Sequence, residues 1–555
     1  MLLKINDFGG IAPKFHASRL PEGLSQQAMN TRFERNVLES YRGFTTTDIS
    51  LSANTKVIFK YDRLYWMGFT DPDISVADAH KVSDPHKYLL IADTDFPRVT
   101  RKDIATTSLP YPSSTFRLGV PEVGNNYAIQ PAAMPIDDSA DTPDEDLDIP
   151  TVTVYRYSFV DGFGREGPLS EPTKSVKFFE GYHRVGLWLP KTFKRVLTGV
   201  NLVSAKLRIY RANYGSGGVY QFVSDVTWGT EQYFDEVLSE DLGMAPETED
   251  WFAPPDDDTE INPGGPLRNL TPMPGGFFVG SSGDELCASV IDAPHGWPYR
   301  ISLGDRIVGI ETIGNAAVVA TVGPTYVVQG VDPASLQPTR INTNQSCVAS
   351  RSMVNIGEAV IYASPDGLVG VAGYEARLLT QDLITKEEWE RDFKPEEIHA
   401  YYYEGKYIFF NATKGWVFRP GGGAYSLSEL DFVATAGYSD LESDTLFLLI
   451  DGELTMFDTS DNRLTYTWVS REFRTPNPTN FSYMRVVAEE YPVTATLNSK
   501  KLNGEVNEQT LTFVDYEPQL LKSGFTAKEF SVRIQGTRAV KTVDLAHRKA
   551  EFDNA

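Results

Sequence analysis

The chain has 555 residues, 41% of them apolar, and a formal charge of −24 from 75 acidic and 51 basic side chains. That length exceeds a single core and sets an expectation of three or four folding units. The acidic balance argues against a free nucleic-acid-binding protein, whose affinity comes from neutralising phosphates.

In chain order, residues 1–48 open with MLLKINDFGG, which lacks the apolar core of a secretory signal. Residues 49–129 hold the apolar runs 64–69 and 88–93, expected to pair as a hairpin across a polar loop. Residues 130–150 (QPAAMPIDDSADTPDEDLDIP) carry seven carboxylates and no basic residue, the composition of a solvated linker.

Residues 151–234 alternate apolar and polar positions, as at Val185, Leu187 and Leu189, and predict a small fibronectin-like β-sandwich. This stretch holds 11 Lys/Arg against 6 Asp/Glu, a surface for an acidic partner or simply solvated strand faces. Residues 235–262 form a second acidic segment, with eleven carboxylates and no basic residue, again read as a linker.

Residues 263–470 carry the main pattern. A strand-like run, a short turn and a second run recur at 314–330, 357–373, 404–420 and 443–458, with starts 43, 47 and 39 residues apart. A fifth copy spans 277–291, and the hairpin of 64–93 would be a weaker sixth. Hairpins at this period are the signature of four-stranded propeller blades, because a lone hairpin cannot bury its apolar face. An ordinary β-sandwich with evenly spaced hairpins is the alternative. If the early hairpin joins the later ones, residues 151–234 are an insertion, and N-terminal strands close the ring with a C-terminal blade. Thr385 and Glu388 form a capping box for a short helix over 386–393. Residues 471–555 predict five further strands, as a closing blade or a separate sandwich.

The expected class is therefore all-β: a propeller with an inserted fibronectin-like sandwich and a C-terminal β region. Catalytic patterns fail in turn. The GxGxxG at Gly162, Gly164 and Gly167 is followed by Pro168 and Pro172, not by the helix a dinucleotide site needs. Gly280–Ser281–Ser282–Gly283 has the wrong spacing for a nucleophile elbow. Among seven scattered histidines, His80 and His86 lie closest, in a polar loop. The clusters Asp144, Asp146, Asp148 and Asp256, Asp257, Asp258 lack the Gly and Glu of a calcium loop. Asp366–Gly367 and Asp451–Gly452 read as hairpin turns. The aromatics Tyr401, Tyr402, Tyr403, Tyr407, Phe409 and Phe410 read as packing between blades. Cys287 and Cys347 read as buried thiols. No catalytic, metal or cofactor-binding residue is assigned, and no cofactor is expected.

Residues 5–43 pair a Gly-x-x-Pro stretch with RLPEGLSQQAMNTRFERNVLESYRG. This opening resembles the tail nozzle proteins of short-tailed bacteriophages (podoviruses). Further islands of resemblance are 157–172 (YSFVDGFGREGPLSEP), 207–211 (LRIYR), 274–298 and, more faintly, 524–545. They are strand-and-turn signatures spread over most of the chain in a shared order. The resemblance implies a non-enzymatic virion protein, made in the host bacterial cytoplasm. It implies a homo-hexameric ring at the distal end of the tail, docked below an adaptor or hub ring and in some members carrying fibres or spikes. That ring would retain the DNA genome, then conduct it without specific binding at the host cell surface. Residues 1–48, with Arg19, Arg32, Arg35 and Arg42, are then a candidate docking arm, or else simply supply an N-terminal strand of the propeller. A tail-fibre adhesin and a propeller glycan depolymerase are the alternative functions.

Overall fold

The computed structural model describes residues 2–35, 37–79, 85–124, 131–137, 143–144, 148–421, 426–501, 503–522 and 524–552. The chain is all-β, and its centre is a β-propeller with seven blades among the described residues. Blade 1 is the hairpin Val57–Tyr61 and Tyr65–Phe69. Blade 2 runs Ser75–Asp78, Leu89–Ala92, Arg98–Thr100, Phe116–Arg117. Blades 3, 4, 5 and 6 begin at Arg268–Met273, Ile307–Ile313, Val354–Asn355 and His399–Tyr403, each continuing as an antiparallel four-stranded meander. Blade 7 comprises Ala436–Asp440, Thr445–Ile450 and Glu453–Met456, and its fourth strand is Thr45–Ser50 from the far end of the sequence.

The repeats seen in the sequence are the second and third strands of blades 3, 4, 5, 6 and 7. They stand out because those strands are buried on both faces: every residue of Ala316–Thr321 and Val360–Ser364 is buried. The turns Glu404–Gly405 and Asp451–Gly452 have positive φ at both residues, the geometry that matches strand twist in a two-residue hairpin.

Separate apolar clusters fill the seven gaps between blades. Between blades 1 and 2 sit Tyr61, Met67, Leu89 and Ile91. Trp297 and Phe278 meet Leu90 between blades 2 and 3, and Val319 and Val279 meet between blades 3 and 4. Tyr362 and Val318 meet between blades 4 and 5, and Phe409 and Leu368 between blades 5 and 6. Phe410 and Leu448 meet between blades 6 and 7, and Trp66 packs on Phe447 between blades 7 and 1.

Polar bonds join successive blades. Leu270 N–H donates to Ser75 Oγ at 2.8 Å, Thr271 Oγ1 to Ile310 O at 3.2 Å and Asn355 Nδ2 to Thr312 O at 2.6 Å. Tyr407 Oη donates to Ser352 O at 2.6 Å, Ser439 Oγ to Tyr402 O at 2.8 Å and Lys60 Nζ to Asp440 Oδ2 at 2.7 Å. Tyr61 Oη donates to Lys87 O. Every junction of the ring thus has at least one polar clamp beside its apolar core.

Between blades 2 and 3 the chain leaves the ring and forms a sandwich. Ala132–Pro135, His183–Trp188 and Gln232–Asp235 make one sheet, and Val176–Phe178, Thr151–Val160, Lys206–Asn213 and Gln221–Thr227 the other. Tyr155, Phe159, Val185, Leu187 and Ile209 form its core. A second sandwich follows the propeller. Leu2–Ile5, Val540–Ala546, Tyr483–Ala488 and Gln519–Leu520 face a sheet made of Ser25–Met29, Tyr466–Ser470, Ala527–Gly536, Val493–Lys500 and Val506–Phe513. Ser25–Met29 also pairs in parallel with the last strand of blade 6, at Met29 and Glu429, so the two sheets run together.

Several expectations are corrected. Residues 2–35 and 37–48 are built into the second sandwich and blade 7 rather than standing clear as an arm: Leu2–Ile5 finds its ladder on Val543–Ala546, and Thr45–Ser50 supplies a propeller strand. The runs 64–69 and 88–93 do not pair with each other. Tyr65–Phe69 turns back on Val57–Tyr61 through Asp62 and Arg63, both at positive φ, and Leu89–Ala92 pairs with Ser75–Asp78. Ala132–Pro135 of the first acidic segment is a strand of the inserted sandwich, while 138–142 and 145–147 lie outside the described residues. Tyr466–Ser470 belongs to the C-terminal sandwich, not to a blade.

The second acidic segment is not simply solvated. Asp235 and Asp256 are both buried, because arginines reach them. Arg211 Nη1 donates to Asp235 at 2.6 Å, and Arg117 and Arg195 reach Asp256 at 3.0 and 3.2 Å. Arg184 faces Glu236 at 3.7 Å and Arg156 faces Glu249 at 3.0 Å. The basic excess of the sandwich is thus matched in large part by the acidic segment that follows it in the same chain.

Candidate functional site

The first strand of each blade runs beside the propeller axis, and the residues that lead into these strands converge at one end. Lys56, Asp73, Arg268, Arg306, Arg351, Glu396, His399 and Thr435, together drawn from all seven blades, line an open axial cavity of about 670 Å³. Closed blades fix these positions, so the cavity is set by the fold before any ligand arrives.

Its charges are unevenly matched. Arg268 pairs with Asp73 at 3.0 Å, and Glu397 faces Lys394 at 3.6 Å. Lys56 and Arg306 are exposed, and neither has an ion-pair or hydrogen-bond partner for its side chain among the described residues. Arg351 Nη2 donates to Lys56 O and lies 3.4 Å from Tyr401 Oη, so among the described residues its guanidinium is held without a carboxylate. Behind it, His399 Nδ1 lies 2.9 Å from Tyr401 Oη, and its ring stacks on Phe410. Burial, aided by the charges of Arg351 and Lys56, holds the His399 pKa well below its ordinary value, so the ring is neutral. Further along the inner strand of blade 4, burial pushes the Glu311 carboxyl up to about 7.

A second cavity, of about 380 Å³, lies where the inserted sandwich meets the propeller. Asp256 organises its wall: Arg117 and Arg195 reach the carboxylate, Asn262 Nδ2 donates to it at 2.9 Å, and Arg300 donates to Asn262 Oδ1 at 3.1 Å. Arg117 also lies 3.9 Å over the Phe96 ring. The arginines at this seam are answered by carboxylates of the same chain, which suits a domain junction.

The motifs weighed in the sequence fall elsewhere. Gly162 and Gly164 lie in a turn where Asp161 Oδ1 accepts from the Phe163 and Arg165 N–H groups, and Gly167 N–H bonds Phe159 O. A Cβ at Gly162 would sit 2.4 Å from Val203 O, so the turn also packs tightly. Ser281 and Ser282 are buried in blade 3; Ser281 Oγ accepts from Asn269 and Ser282 Oγ donates to Gly265 O. His80 and Asp146 lie outside the described residues, and His86 packs against Tyr88. Tyr401, Tyr403, Tyr407, Phe409 and Phe410 all pack between blades. Cys287 and Cys347 are buried between blades, and burial raises each thiol to about 12. Arg32 is bound within the chain, to Asp458 at 2.5 Å and Glu404 at 2.8 Å, and Arg35 pairs with Glu39. Among the described residues no group of three or more His, Cys, Asp or Glu could hold a metal ion, and no helix is long and apolar enough to cross a membrane.

The axial cations escape a motif search because they come from distant segments. The signal that was there is positional: Lys56, Arg268 and Arg306 each stand at or immediately before the first strand of a blade.

No family profile and no curated protein matches this chain. Among solved structures it is similar to BamB from Moraxella catarrhalis, at 11% identity over 47% of this chain and 81% of that one, with a TM-score of 0.24. It is also similar to PorZ from Porphyromonas gingivalis, at 11% identity, 57% and 42% coverage and a TM-score of 0.26; the chain spans under half of PorZ. A third is the exo-β-1,3-galactanase of Phanerochaete chrysosporium, at 7% identity, 50% and 95% coverage and a TM-score of 0.20. Likeness at this level decides nothing about the present chain, whose propeller is read from its own strand pairing.

Proposed function

We propose that this chain is a structural, non-enzymatic virion protein: the subunit of a homo-hexameric nozzle ring at the tip of a short phage tail. The observation that supports this reading is where the islands of resemblance lie. Residues 5–43 and 524–545 sit at opposite ends of the sequence, yet Ile5 stands opposite Val543, and Leu38 bridges Val540. Residues 157–160 and 207–211 likewise form one ladder, with Tyr157 opposite Ile209 and Phe159 opposite Leu207. Four of the five islands thus pair two by two, as expected if they hold a shared architecture together.

In this reading the genome channel is the six-fold axis between subunits, not the axial cavity of one propeller. Six copies would carry about −144 charges, a field that repels phosphates and lets duplex DNA slide without adsorbing. The adaptor or hub ring above, and any fibres or spikes, would dock on the two sandwiches, which leave the propeller rigid.

Immuno-electron microscopy of intact virions, with gold-bearing antibody against this chain, tests the reading. Gold on the particle axis at the tail tip is the expected result. Gold on lateral appendages would move the chain to an adhesin or depolymerase, and no gold on any particle would remove the virion role.

A further inference from the structure

The axial cavity contains an electrostatic mismatch that the nozzle reading does not use. Carboxylates outnumber basic groups by 24 in this chain, so a cation without a carboxylate is the exception. Lys56, Arg306 and Arg351 come from blades 1, 4 and 5, line the same cavity, and have no ion-pair partner among the described residues. The paired Arg268 and Asp73 cancel each other and Glu397 faces Lys394, which leaves Glu396 as the opposing charge on the rim. The bond from Arg351 to the Lys56 backbone carbonyl ties blades 1 and 5 across the axis, and the neutral His399 ring, on which both charges act, lies behind them. Among the described residues the Lys56 and Arg306 side chains hold no bond that the fold uses, and like charges gathered at one end of the axis favour a bound anion.

We propose that this end of the propeller axis is a binding site for a compact oligophosphate, with Lys56, Arg306 and Arg351 as its contacts. Guanidinium forks match phosphate oxygens in pairs, and an ammonium adds a point charge, so the set suits tetrahedral phosphoryl groups better than a flat carboxylate. A cavity of about 670 Å³ exceeds what one phosphate fills and admits two or three linked phosphoryl groups. Cations from separate blades would grip such a ligand from several sides and tie the ring across its axis.

Isothermal titration of the full chain with tripolyphosphate at low and physiological salt tests this, with inorganic phosphate and citrate as comparison arms. Tripolyphosphate is expected to bind at least tenfold more tightly than either, with affinity falling as salt rises. The double substitution Lys56→Ala and Arg306→Ala should weaken it by at least tenfold while leaving the ligand-free unfolding temperature unchanged, since neither side chain holds a partner. Glu396→Gln should strengthen it severalfold. Lys541→Ala, on the C-terminal sandwich, should leave it unchanged. Equal binding of citrate would overturn the assignment to phosphate, and binding that ignores the double substitution would overturn the site.

Discussion

Met456, at the end of blade 7, stands opposite Thr45 in one antiparallel ladder, and Thr455 stands opposite Thr46. This pairing joins the front of the sequence to the last blade and shuts the ring, with Thr47 Oγ1 donating to Leu454 O at 2.8 Å beside it. In a closed ring every blade packs between two neighbours, so closure is the step that makes the seven cores cooperative. Replacing Thr46 and Thr455 by cysteine should therefore yield a disulfide. The oxidised protein should be more stable than the reduced one by about 2–4 kcal/mol. Calorimetry with and without reductant measures this; failure of the pair to cross-link would mean the strand is not seated there.

Arg211 is fully buried in the inserted sandwich, and its charge is answered by Asp235, which also accepts from Tyr155 Oη at 2.7 Å. The Arg211 Nε group has no hydrogen-bond partner among the described residues, and Glu180 lies 3.6 Å from Nη2, so the pair has little reserve. Asp235→Asn leaves a buried cation without its counter-charge and should cost about 3–5 kcal/mol. Arg184→Ala, which removes the more exposed pair with Glu236, should cost under about 1 kcal/mol. Denaturant unfolding of both variants compares them, and equal losses would mean that burial does not set the strength of these pairs.

The two variants also mark the limit of what the sequence could disclose. Charge counts exposed a basic stretch beside an acidic one, but not that Arg211 and Asp235 neutralise each other inside the core. The middle blade strands were legible because double burial demands unbroken apolar runs, as in Thr445–Ile450. The outer strands were not: all four residues of Gln337–Arg340 are exposed, so no apolar pattern marks them. Blade 1 is hidden in the sequence because its turn uses Asp62 and Arg63 at positive φ without glycine or asparagine to announce it. The closing strand Thr45–Ser50 is polar and finds its partner beyond any local window. The axial site depends on seven segments meeting, which periodicity cannot encode.

Cys287 lies between blades 2 and 3, and Cys347 between blades 4 and 5. Burial raises both thiols to about 12, so neither offers thiolate near neutral pH. Native protein should react with a colorimetric disulfide reagent at well below one thiol per chain, and denatured protein at two. Prompt reaction of either cysteine in the native state would show that its blade junction opens.

Glu311 stands opposite Val318 on the face of blade 4 that meets blade 5, where Val318 packs with Tyr362 and Val360. Burial raises its carboxyl to about 7, against an ordinary value of 4.5, with only a backbone hydrogen bond near Thr312 favouring the charged form. The folded chain therefore holds this proton more tightly than the unfolded chain does. That contribution to stability is fully present below about pH 4.5 and is lost as pH rises through 7. Glu311→Gln, which mimics the protonated acid, should match the parent protein at pH 4.5 and exceed it at pH 8.5 by on the order of 2 kcal/mol. The quantity to follow is the difference in unfolding free energy between the two proteins across that range. A difference that rises with pH places the carboxyl in the blade junction, whereas one that stays flat means water reaches Glu311 and the junction is looser than its packing indicates.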